Sequence, residues 1–296
     1  MLVATNFAVV IVLGIVWNIL DSIFNISQMF INMGMPAHFG YLAVMALVLG
    51  FGGSFISLWM SKGMAKRSMG VYVIEHPQTR QERWLYETVE RQAQAVGIDM
   101  PEVGIFASPE PNAFATGARK NSALVAVSQG LLDHMNADEV EAVLGHEMAH
   151  VANGDMVTQT LLQGVLNTFV IFLSKVIAHL VTSVMSRGSD NQNSSGGIAY
   201  FVVSMALEIG LGFLATLVVM WFSRWREFHA DKGGANLAGK QKMINALKRL
   251  QQAHAPEDLP GEMAAFGISG KFASGLEKLR MTHPPLEERI AALERL

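Results

Sequence analysis

The stretch His146-Glu147-Met148-Ala149-His150 decides how this sequence is interpreted. Residues four apart lie on the same face of an α-helix, so His146 and His150 could hold one metal ion between their imidazole rings. Glu147 would then lie beside the metal, where a carboxylate can act as general base toward an attacking water. The same pattern can also occur by chance in a structural helix, so its meaning depends on the rest of the chain.

The residues around this stretch predict a helix over residues 137–151. Asn136 is a suitable N-cap, and Glu139, three residues later, can complete a capping box. Apolar residues recur at helical spacing along one face, and Gly154 is a natural C-terminal stop. Both histidines are therefore expected on one face of this helix.

The composition is that of an integral membrane protein with a soluble part. Of 296 residues, 51% are hydrophobic and 16% are charged, and the mean hydropathy is +0.30. The net charge of −3 gives no indication of a nucleic-acid partner. The chain has no cysteine, which excludes disulfides and cysteine-ligated zinc, so any zinc must be held by histidine and carboxylate side chains.

Four apolar segments each approach or exceed the roughly 20 residues needed to cross a bilayer. They are residues 3–24, 39–60, 159–185 and 198–222. The first lacks a basic leader and a small-residue cleavage site, so we interpret it as a membrane anchor rather than a cleavable signal. Ionisable residues inside the last two segments could form a packing contact between spans or a functional site; they are Lys175, His179 and Glu208.

The distribution of basic residues predicts the orientation of these spans. Lys and Arg follow the second and fourth segments but are nearly absent after the first and third. The positive-inside rule therefore places the metal-binding stretch and both termini in the cytoplasm. The predicted organisation is a transmembrane hairpin, a first soluble segment, a second hairpin and a second soluble segment, over residues 1–60, 61–158, 159–222 and 223–296.

The soluble segments are expected to combine helices with a small sheet. Strand-like runs lie at residues 70–74, 103–107 and 123–127. Helical patterns lie at residues 79–96, 240–253 and 285–296.

A catalytic zinc needs a third protein ligand. The metzincin pattern is absent, because no histidine follows His150 at the required spacing. Glu227 is the best candidate, and Asp231, on the same helix face, could hydrogen-bond a ligand histidine. Two spans separate Glu227 from His150, so the chain returns to the same side of the membrane. An exposed acidic pair is the structural alternative, and two other carboxylates are rival ligands, Asp155 and Glu208.

Together these motifs resemble the HtpX family of heat-shock membrane metalloproteases, bacterial relatives of the zinc-dependent CAAX prenyl proteases. The resemblance covers essentially the whole chain and includes two further stretches, Pro111-Asn112-Ala113-Phe114-Ala115 and Thr282-His283-Pro284-Pro285. It implies a zinc endopeptidase of the bacterial inner membrane that acts in membrane-protein quality control and the stress response. It assigns one zinc ion to His146, His150 and Glu227, and the role of general base to Glu147.

The resemblance also assigns substrate-handling roles, for which structural explanations remain open. The stretch Asn112, Ala113, Phe114 and Ala115 looks like the family's substrate-binding edge strand, and its alternative is an ordinary turn-to-strand junction. His283 looks like the family's late histidine, which stabilises the oxyanion, and its alternative is a histidine packed before two prolines. The expected partners are polypeptide substrates, chiefly membrane proteins, and the lipid bilayer; cooperation with other membrane proteases is compatible with this role.

The predicted fold class is α+β: a multi-span α-helical membrane protein with a cytoplasmic, gluzincin-like zinc protease domain that is mostly α with a small β-sheet. A non-hydrolytic membrane protein that binds or transports metal is the alternative, although metal pathways usually place their ligands within the spans. An intramembrane protease is disfavoured, because the charged residues Asp138, Glu139, Glu141 and Asp155 are expected on the motif helix, which is too much charge for the bilayer.

Overall fold

Two structural units are built from segments that alternate along the chain. The computed structural model describes residues 2–186, 195–253 and 283–296. The first unit comprises Met1–Phe55 and Leu161–Thr216, and the second comprises Ile56–Thr160 and Leu217–Leu296. The helices and strands, in chain order, are α1 (Leu2–Phe24), α2 (Ile26–Asn32), α3 (His38–Ser68), β1 (Tyr72–Val73), α4 (Arg80–Val96), β2 (Glu102–Phe106), β3 (Ala113–Thr116), a 3-10 turn (Lys120–Ser122), β4 (Leu124–Ser128), α5 (Gln129–His134), α6 (Ala137–Asn153), α7 (Asp155–Ser186), α8 (Ser195–Ala238), α9 (Lys240–Ala253) and α10 (Leu286–Glu294).

Three helices of the described chain, α3, α7 and α8, are long and apolar enough to cross a membrane. They contain the second, third and fourth predicted spans. The first predicted span forms α1, whose side chains the structure describes from Leu13 onward as a shorter apolar helix. In both α3 and α8 the helix continues after the apolar sequence of the predicted span ends, to Ser68 and Ala238.

Small residues allow close helix packing in the first unit. A Cβ atom placed on Gly50 of α3 would lie 2.4 Å from Thr168 Oγ1 of α7, and one on Gly164 would lie 2.6 Å from the ring of Phe51. Such approaches are typical of packed membrane helices. Large apolar side chains remain exposed on the surface of the unit, including Ile198 at 69%, as expected where a surface contacts lipid.

The ionisable residues of the predicted spans pair with polar neighbours in this unit. Lys175 Nζ lies 2.8 Å from Glu208 Oε1 and 3.4 Å from Ser204 Oγ. The ring of His179 lies 5.2 Å from that of His38. These contacts favour the interpretation of Lys175 and Glu208 as a packing pair between α7 and α8.

The second unit contains a four-stranded sheet in the order β1-β2-β4-β3. β2 and β4 are parallel, with Val103 opposite Val125, whereas β3 is antiparallel to β4, with Phe114 opposite Ala126. β4 is buried along its whole length, as expected of a central strand. β3 is at the edge of the sheet, so one side of it is unpaired within the described chain.

Helices cover the sheet and form the main core of the second unit. α4 begins with a capping box between Thr79 and Glu82. One face of the helix is apolar and packs into the core, where Leu85 and Val89 are fully buried. The same core cluster includes side chains of α6, α9 and α10, among them Met148, Met243, Leu247, Ile290 and Leu293.

The motif helix α6 has the two capping residues that its sequence predicts. Asn136 Oδ1 accepts a hydrogen bond from the Glu139 backbone N–H, and Glu139 Oε2 accepts one from the Asn136 N–H, both at 3.0 Å. Gly154 ends the helix with φ 69°, a left-handed conformation that favours glycine. The helix is slightly longer than the predicted 137–151.

Glycines bring α8 against the backbone of α6. A Cβ atom on Gly234 would lie 2.9 Å from the His146 backbone nitrogen, and one on Gly233 would lie 2.4 Å from Ala149 Cβ. Gly145 of α6 faces Gly234 directly, with its own added Cβ 3.3 Å from the Gly234 Cα. A side chain at any of these positions would force the helices apart, so the contact fixes how closely α8 approaches the two histidines.

Candidate metal centre and active site

Three predicted ligands meet in the second unit. His146 and His150 lie one turn apart on α6, with their Nε2 atoms 3.1 Å apart. Glu227 of α8 places Oε2 3.5 Å from His146 Nε2 and Oε1 3.3 Å from His150 Nε2. Glu227 is 3% exposed and His146 is 7% exposed. The carboxylate and the imidazole are therefore both buried, with their possible metal-ligand atoms facing each other.

This donor set fits a metal ion. Nitrogen and oxygen ligands bind zinc at about 2.0–2.2 Å in a tetrahedron, which separates neighbouring ligand atoms by about 3.3–3.6 Å. The separations of 3.1, 3.3 and 3.5 Å match that spacing closely. Two histidines and one carboxylate are also the ligand chemistry of one class of catalytic zinc site, which keeps a further position for water or substrate.

Asp231 contacts the ring of His146 at the nitrogen that does not face Glu227. Its Oδ1 atom lies 3.0 Å from His146 Nδ1, so the Nδ1 proton can be donated to the carboxylate while Nε2 is left for the metal. Asp231 in turn accepts two hydrogen bonds from Arg289 of α10, at 2.8 and 2.6 Å. Burial would raise the pKa of Asp231, but Arg289 and His146 together hold it below its ordinary value, so Asp231 stays ionised.

Asp155 holds the ring of His150 in the same way. Its Oδ2 atom lies 2.7 Å from His150 Nδ1, and Arg226 of α8 forms an ion pair with its other oxygen. Asp155 therefore contacts the His150 ring nitrogen opposite the one that faces Glu227, and it is not part of the group of His146, His150 and Glu227 that could hold a metal ion. The other rival, Glu208, is paired with Lys175 in the first unit.

The electrostatics of the cluster favour positive charge at its centre. Burial disfavours a charged His146, but hydrogen bonds to Asp231 and Glu227 outweigh burial and raise its pKa above 6.5. Burial also opposes a charge on His150, yet Asp155 and Glu227 raise its pKa to about 10. Burial would raise the pKa of Glu227, but the surrounding imidazoles hold it far below the ordinary range. A divalent cation would supply the same positive charge by displacing the protons.

Glu147 and His283 border the cleft that opens over this cluster. A cavity of about 480 Å³ is lined by both, together with the three predicted ligands. His283 is exposed, and its Nδ1 atom lies 2.9 Å from Glu227 Oε2. Thr282, which precedes His283 in the stretch Thr282-His283-Pro284-Pro285, lies outside the described residues.

The predicted substrate stretch forms the wall of the same cleft. Asn112, Ala113, Phe114 and Ala115 all line it, and residues from Ala113 onward form the edge strand β3. The Ser128 backbone N–H donates to the Asn112 carbonyl at 2.8 Å. In an antiparallel ladder, residues whose backbone groups bond to the partner strand alternate with residues whose backbone groups face away from it. The backbone N–H and C=O groups of Phe114 therefore face β4, as those of Asn112 do, whereas those of Ala113 and Ala115 face the free edge.

Two functional contacts were not identified from the sequence: Asp155 as a partner of His150, and Arg289 as a partner of Asp231. One feature of α10 points to the role of Arg289. The residue is only 7% exposed and lies on the helix face that carries the apolar residues Ile290 and Leu293. A charged residue on an apolar helix face needs a buried counter-charge. The pairing itself depends on how α10 and α8 pack and has no local sequence pattern.

Comparison with known proteins agrees with this geometry. Residues 79–296 match the family described as Peptidase family M48. The Protease HtpX of Thioalkalivibrio sulfidiphilus (strain HL-EbGR7) is 56% identical over 291 residues, which cover 98% of this chain and 96% of that relative. The Protease HtpX of Tolumonas auensis (strain DSM 9187 / NBRC 110442 / TA 4) is 57% identical over 293 residues, covering 99% and 97%.

A solved structure shares the fold. The crystal structure of S. mikatae Ste24p matches with a TM-score of 0.57 at 16% identity, over 98% of this chain and 67% of that one. The resemblance to HtpX-type membrane metalloproteases is thereby confirmed, and the chain belongs to peptidase family M48.

Proposed function

We propose that the protein is a zinc-dependent endopeptidase that hydrolyses peptide bonds of misfolded or damaged membrane proteins at the cytoplasmic face of the bacterial inner membrane. The observation that carries this proposal is the convergence of His146, His150 and Glu227 beside Glu147, in a cleft bordered by a strand edge that is unpaired among the described residues. Membership of family M48 and the Protease HtpX relatives support a membrane metalloprotease.

Zinc is the metal that we propose for the site, one ion per chain. When bound, it would polarise the scissile carbonyl and acidify an attacking water. His146, His150 and Glu227 would hold it, and the carboxylates of Asp231 and Asp155 would fix the orientation of the two rings.

Glu147 and His283 would perform the proton and charge chemistry. Glu147 lies on α6 between the two histidines and lines the cleft, so its carboxylate can accept a proton from the attacking water and pass it to the leaving amine. With both ring nitrogens protonated, His283 would donate its Nδ1–H to Glu227 and its Nε2–H to the carbonyl oxygen as negative charge develops there.

The free edge of β3 would hold the substrate backbone. Ala113 and Ala115 present outward N–H and C=O groups beside the metal ligands, so an extended peptide could add to the sheet as a further strand. Backbone pairing does not depend on side-chain identity. It suits an enzyme that must act on many unfolded polypeptides.

The proposed cellular arrangement follows the positive-inside rule. Residues 1–60 and 159–222 would form two membrane hairpins, and residues 61–158 and 223–296 would form the protease domain in the cytoplasm, with both termini. The role in stress response and protein quality control, and cooperation with other membrane proteases, rest on the resemblance to the HtpX family.

Replacing Glu147 with glutamine tests the general base. We expect Glu147→Gln to retain stoichiometric zinc, because its carboxylate is not a proposed ligand, and to lower the rate of casein or membrane-protein cleavage by at least about 100-fold. Zinc content by mass spectrometry and cleavage in detergent are the measurements. Glu87→Gln, on the exposed face of α4, is the matched control. Full activity in the Glu147→Gln variant would remove Glu147 from the mechanism.

Replacing Asp155 with asparagine tests the orientation of His150. The change keeps the shape of the side chain but removes the charge that pairs with Arg226 and His150, so we expect zinc affinity to fall about 10- to 100-fold. Competition with a chelator measures this. Asp133→Asn on α5 removes a carboxylate that contacts only Gln129 among the described hydrogen bonds and should leave affinity unchanged. Equal affinities in the two variants would show that Asp155 does not support the site.

Proline substitution in β3 tests backbone pairing with substrate. Ala115→Pro removes an N–H group that faces the free edge, a position where proline is tolerated. We expect near-native melting and zinc content but a fall in kcat/KM of about tenfold or more, since a substrate carbonyl loses its donor. Phe114→Pro removes an N–H that faces β4 and should instead lower the melting temperature. Unchanged kcat/KM in Ala115→Pro would argue against substrate pairing at this edge.

Cysteine labelling tests the membrane orientation, since the chain has no cysteine of its own. In spheroplasts, an impermeant maleimide should label a Met33→Cys variant, which follows α2, and should label a Gln94→Cys variant on α4 only after lysis. Both positions are exposed. The reverse pattern would place the metal centre outside the cytoplasm.

A further inference from the structure

Two cavities lie over the metal centre, and different parts of the chain border them. The cavity of about 480 Å³ is lined on one wall by Gln159 and Ser223. A second cavity, of about 800 Å³, shares with it the residues of the candidate active site, including His146, Glu147 and Glu227. We call the first the span-side cavity and the second the outer cavity. The reacting groups therefore lie where the two cavities meet.

The span-side cavity borders the ends of two predicted spans. Gln159 is the first residue of the third predicted span, and Ser223 directly follows the fourth. Gln159 lies one helical turn after Asp155 on α7, and Ser223 lies one turn before Glu227 on α8. Four residues of α-helix rise by about 6 Å. Along both helices, therefore, only about one helical turn separates the metal centre from the apolar sequence.

The outer cavity is bordered by the soluble segments instead. Its lining comes from α5, α6, α9 and α10, from residues 110–113 and 283–285, and from Glu227. Among the described residues that line it, none belongs to a predicted span. One end of the cleft thus adjoins the ends of two spans, and the other end adjoins only soluble segments.

The edge strand β3 sets the direction of a polypeptide in this cleft. Phe114 and Ala115 border only the span-side cavity, whereas Glu110 and Pro111, which precede the strand, border only the outer cavity. A peptide that pairs antiparallel to β3, the more stable arrangement and the one that β4 already adopts, runs from the span-side cavity to the outer cavity. Its residues before the scissile bond then lie toward the ends of the spans.

The span-side cavity suits a polypeptide backbone that has just left a bilayer. Backbone N–H and C=O groups close to hydrocarbon need hydrogen-bond partners, because an unpaired group is costly there. The carboxamide of Gln159 and the hydroxyl of Ser223 can each donate and accept a hydrogen bond, and Gln159 is exposed. This wall therefore offers polar partners at the place where the apolar sequence ends.

We infer that the preferred substrates are membrane-anchored polypeptides whose apolar anchor precedes the scissile bond, so that the enzyme cuts a cytoplasmic segment just after a span. This inference rests on the proposed endopeptidase function and names its substrate class. An extended chain covers about 3.3–3.6 Å per residue, so about two residues bridge one helical turn. A chain whose anchor follows the bond would have to leave the outer cavity and turn back to the bilayer, which takes a longer spacer.

Two model substrates that differ only in the side of the anchor test this inference. A soluble reporter segment with one cleavage sequence, identified from the casein products, is joined to an apolar helix of about 20 residues placed before or after that sequence. A flexible Gly/Ser spacer between the anchor and the sequence varies from about 4 to about 30 residues. Each substrate is reconstituted with zinc-loaded enzyme in vesicles of phosphatidylethanolamine and phosphatidylglycerol, and product formation is measured. Enzyme with Glu147→Gln is the negative control.

The spacer length should decide how much the side of the anchor matters. With about 4 residues, the substrate whose anchor precedes the bond should be cleaved at least about tenfold faster, because the other spacer cannot span the distance. With about 30 residues, the two rates should agree within about twofold, since both spacers can reach the active site.

Disulfide trapping tests the direction of the substrate without turnover. The chain has no cysteine, so Gln159→Cys in the span-side cavity and Gln251→Cys in the outer cavity can each be combined with Glu147→Gln. The substrate carries one cysteine, placed shortly before or shortly after the cleavage sequence. Gln159→Cys should trap the preceding cysteine at least about fivefold more than the following one, because a disulfide requires close Cα atoms. Gln251→Cys should show the reverse preference.

Equal rates with the short spacer, faster cleavage of the substrate whose anchor follows the bond, or a reversed trapping pattern overturns the inference and leaves the proposed protease function standing. Absence of zinc-dependent cleavage of casein and of every model substrate overturns the protease function itself and the inference with it.

Discussion

The close approach of α6 and α8 is the constraint on which the candidate active site depends. A metal ion held by the histidine pair on α6 would need a third ligand from a distant part of the chain, and Glu227 could provide it only with α8 lying almost against the α6 backbone. Gly145, Gly233 and Gly234 make that approach sterically possible. The distances between a metal ion and its ligands must be correct to within about 0.2 Å. A single methyl group added at this contact would therefore be enough to disturb the positions of the candidate ligands.

Charge compensation is the second requirement. Three buried carboxylates, on Glu227, Asp231 and Asp155, lie within one small region, and each would be costly to bury alone. Arg289 pairs with two of them and Arg226 with the third. The two imidazoles lie between these carboxylates, each with one nitrogen bound to an aspartate and the other facing Glu227. This pattern orients both rings independently of the metal.

Local rules were sufficient to predict much of this arrangement from the sequence. The ends of α6 follow from capping residues, Asn136 and Gly154, that act within one turn. Glu227 is a candidate ligand because it shares a helix face with Asp231, and the two predicted spans before it are consistent with its return to the starting side. Only the family resemblance indicates the edge strand β3, because Ala113–Thr116 has no alternating apolar pattern of its own. The roles of Asp155 and Arg289 depend on tertiary packing, so no sequence pattern identified them.

The position of Arg289 has a consequence for biosynthesis. Its guanidinium lies within 3.4 Å of His146, across 143 residues of sequence, so the site is supported by a helix that leaves the ribosome long after the motif helix. A nascent chain that has exposed only α6 lacks both Glu227 and this support. Hydrolytic competence would therefore arise after translation has passed α10, which would protect the translation and insertion machinery from a partly made protease.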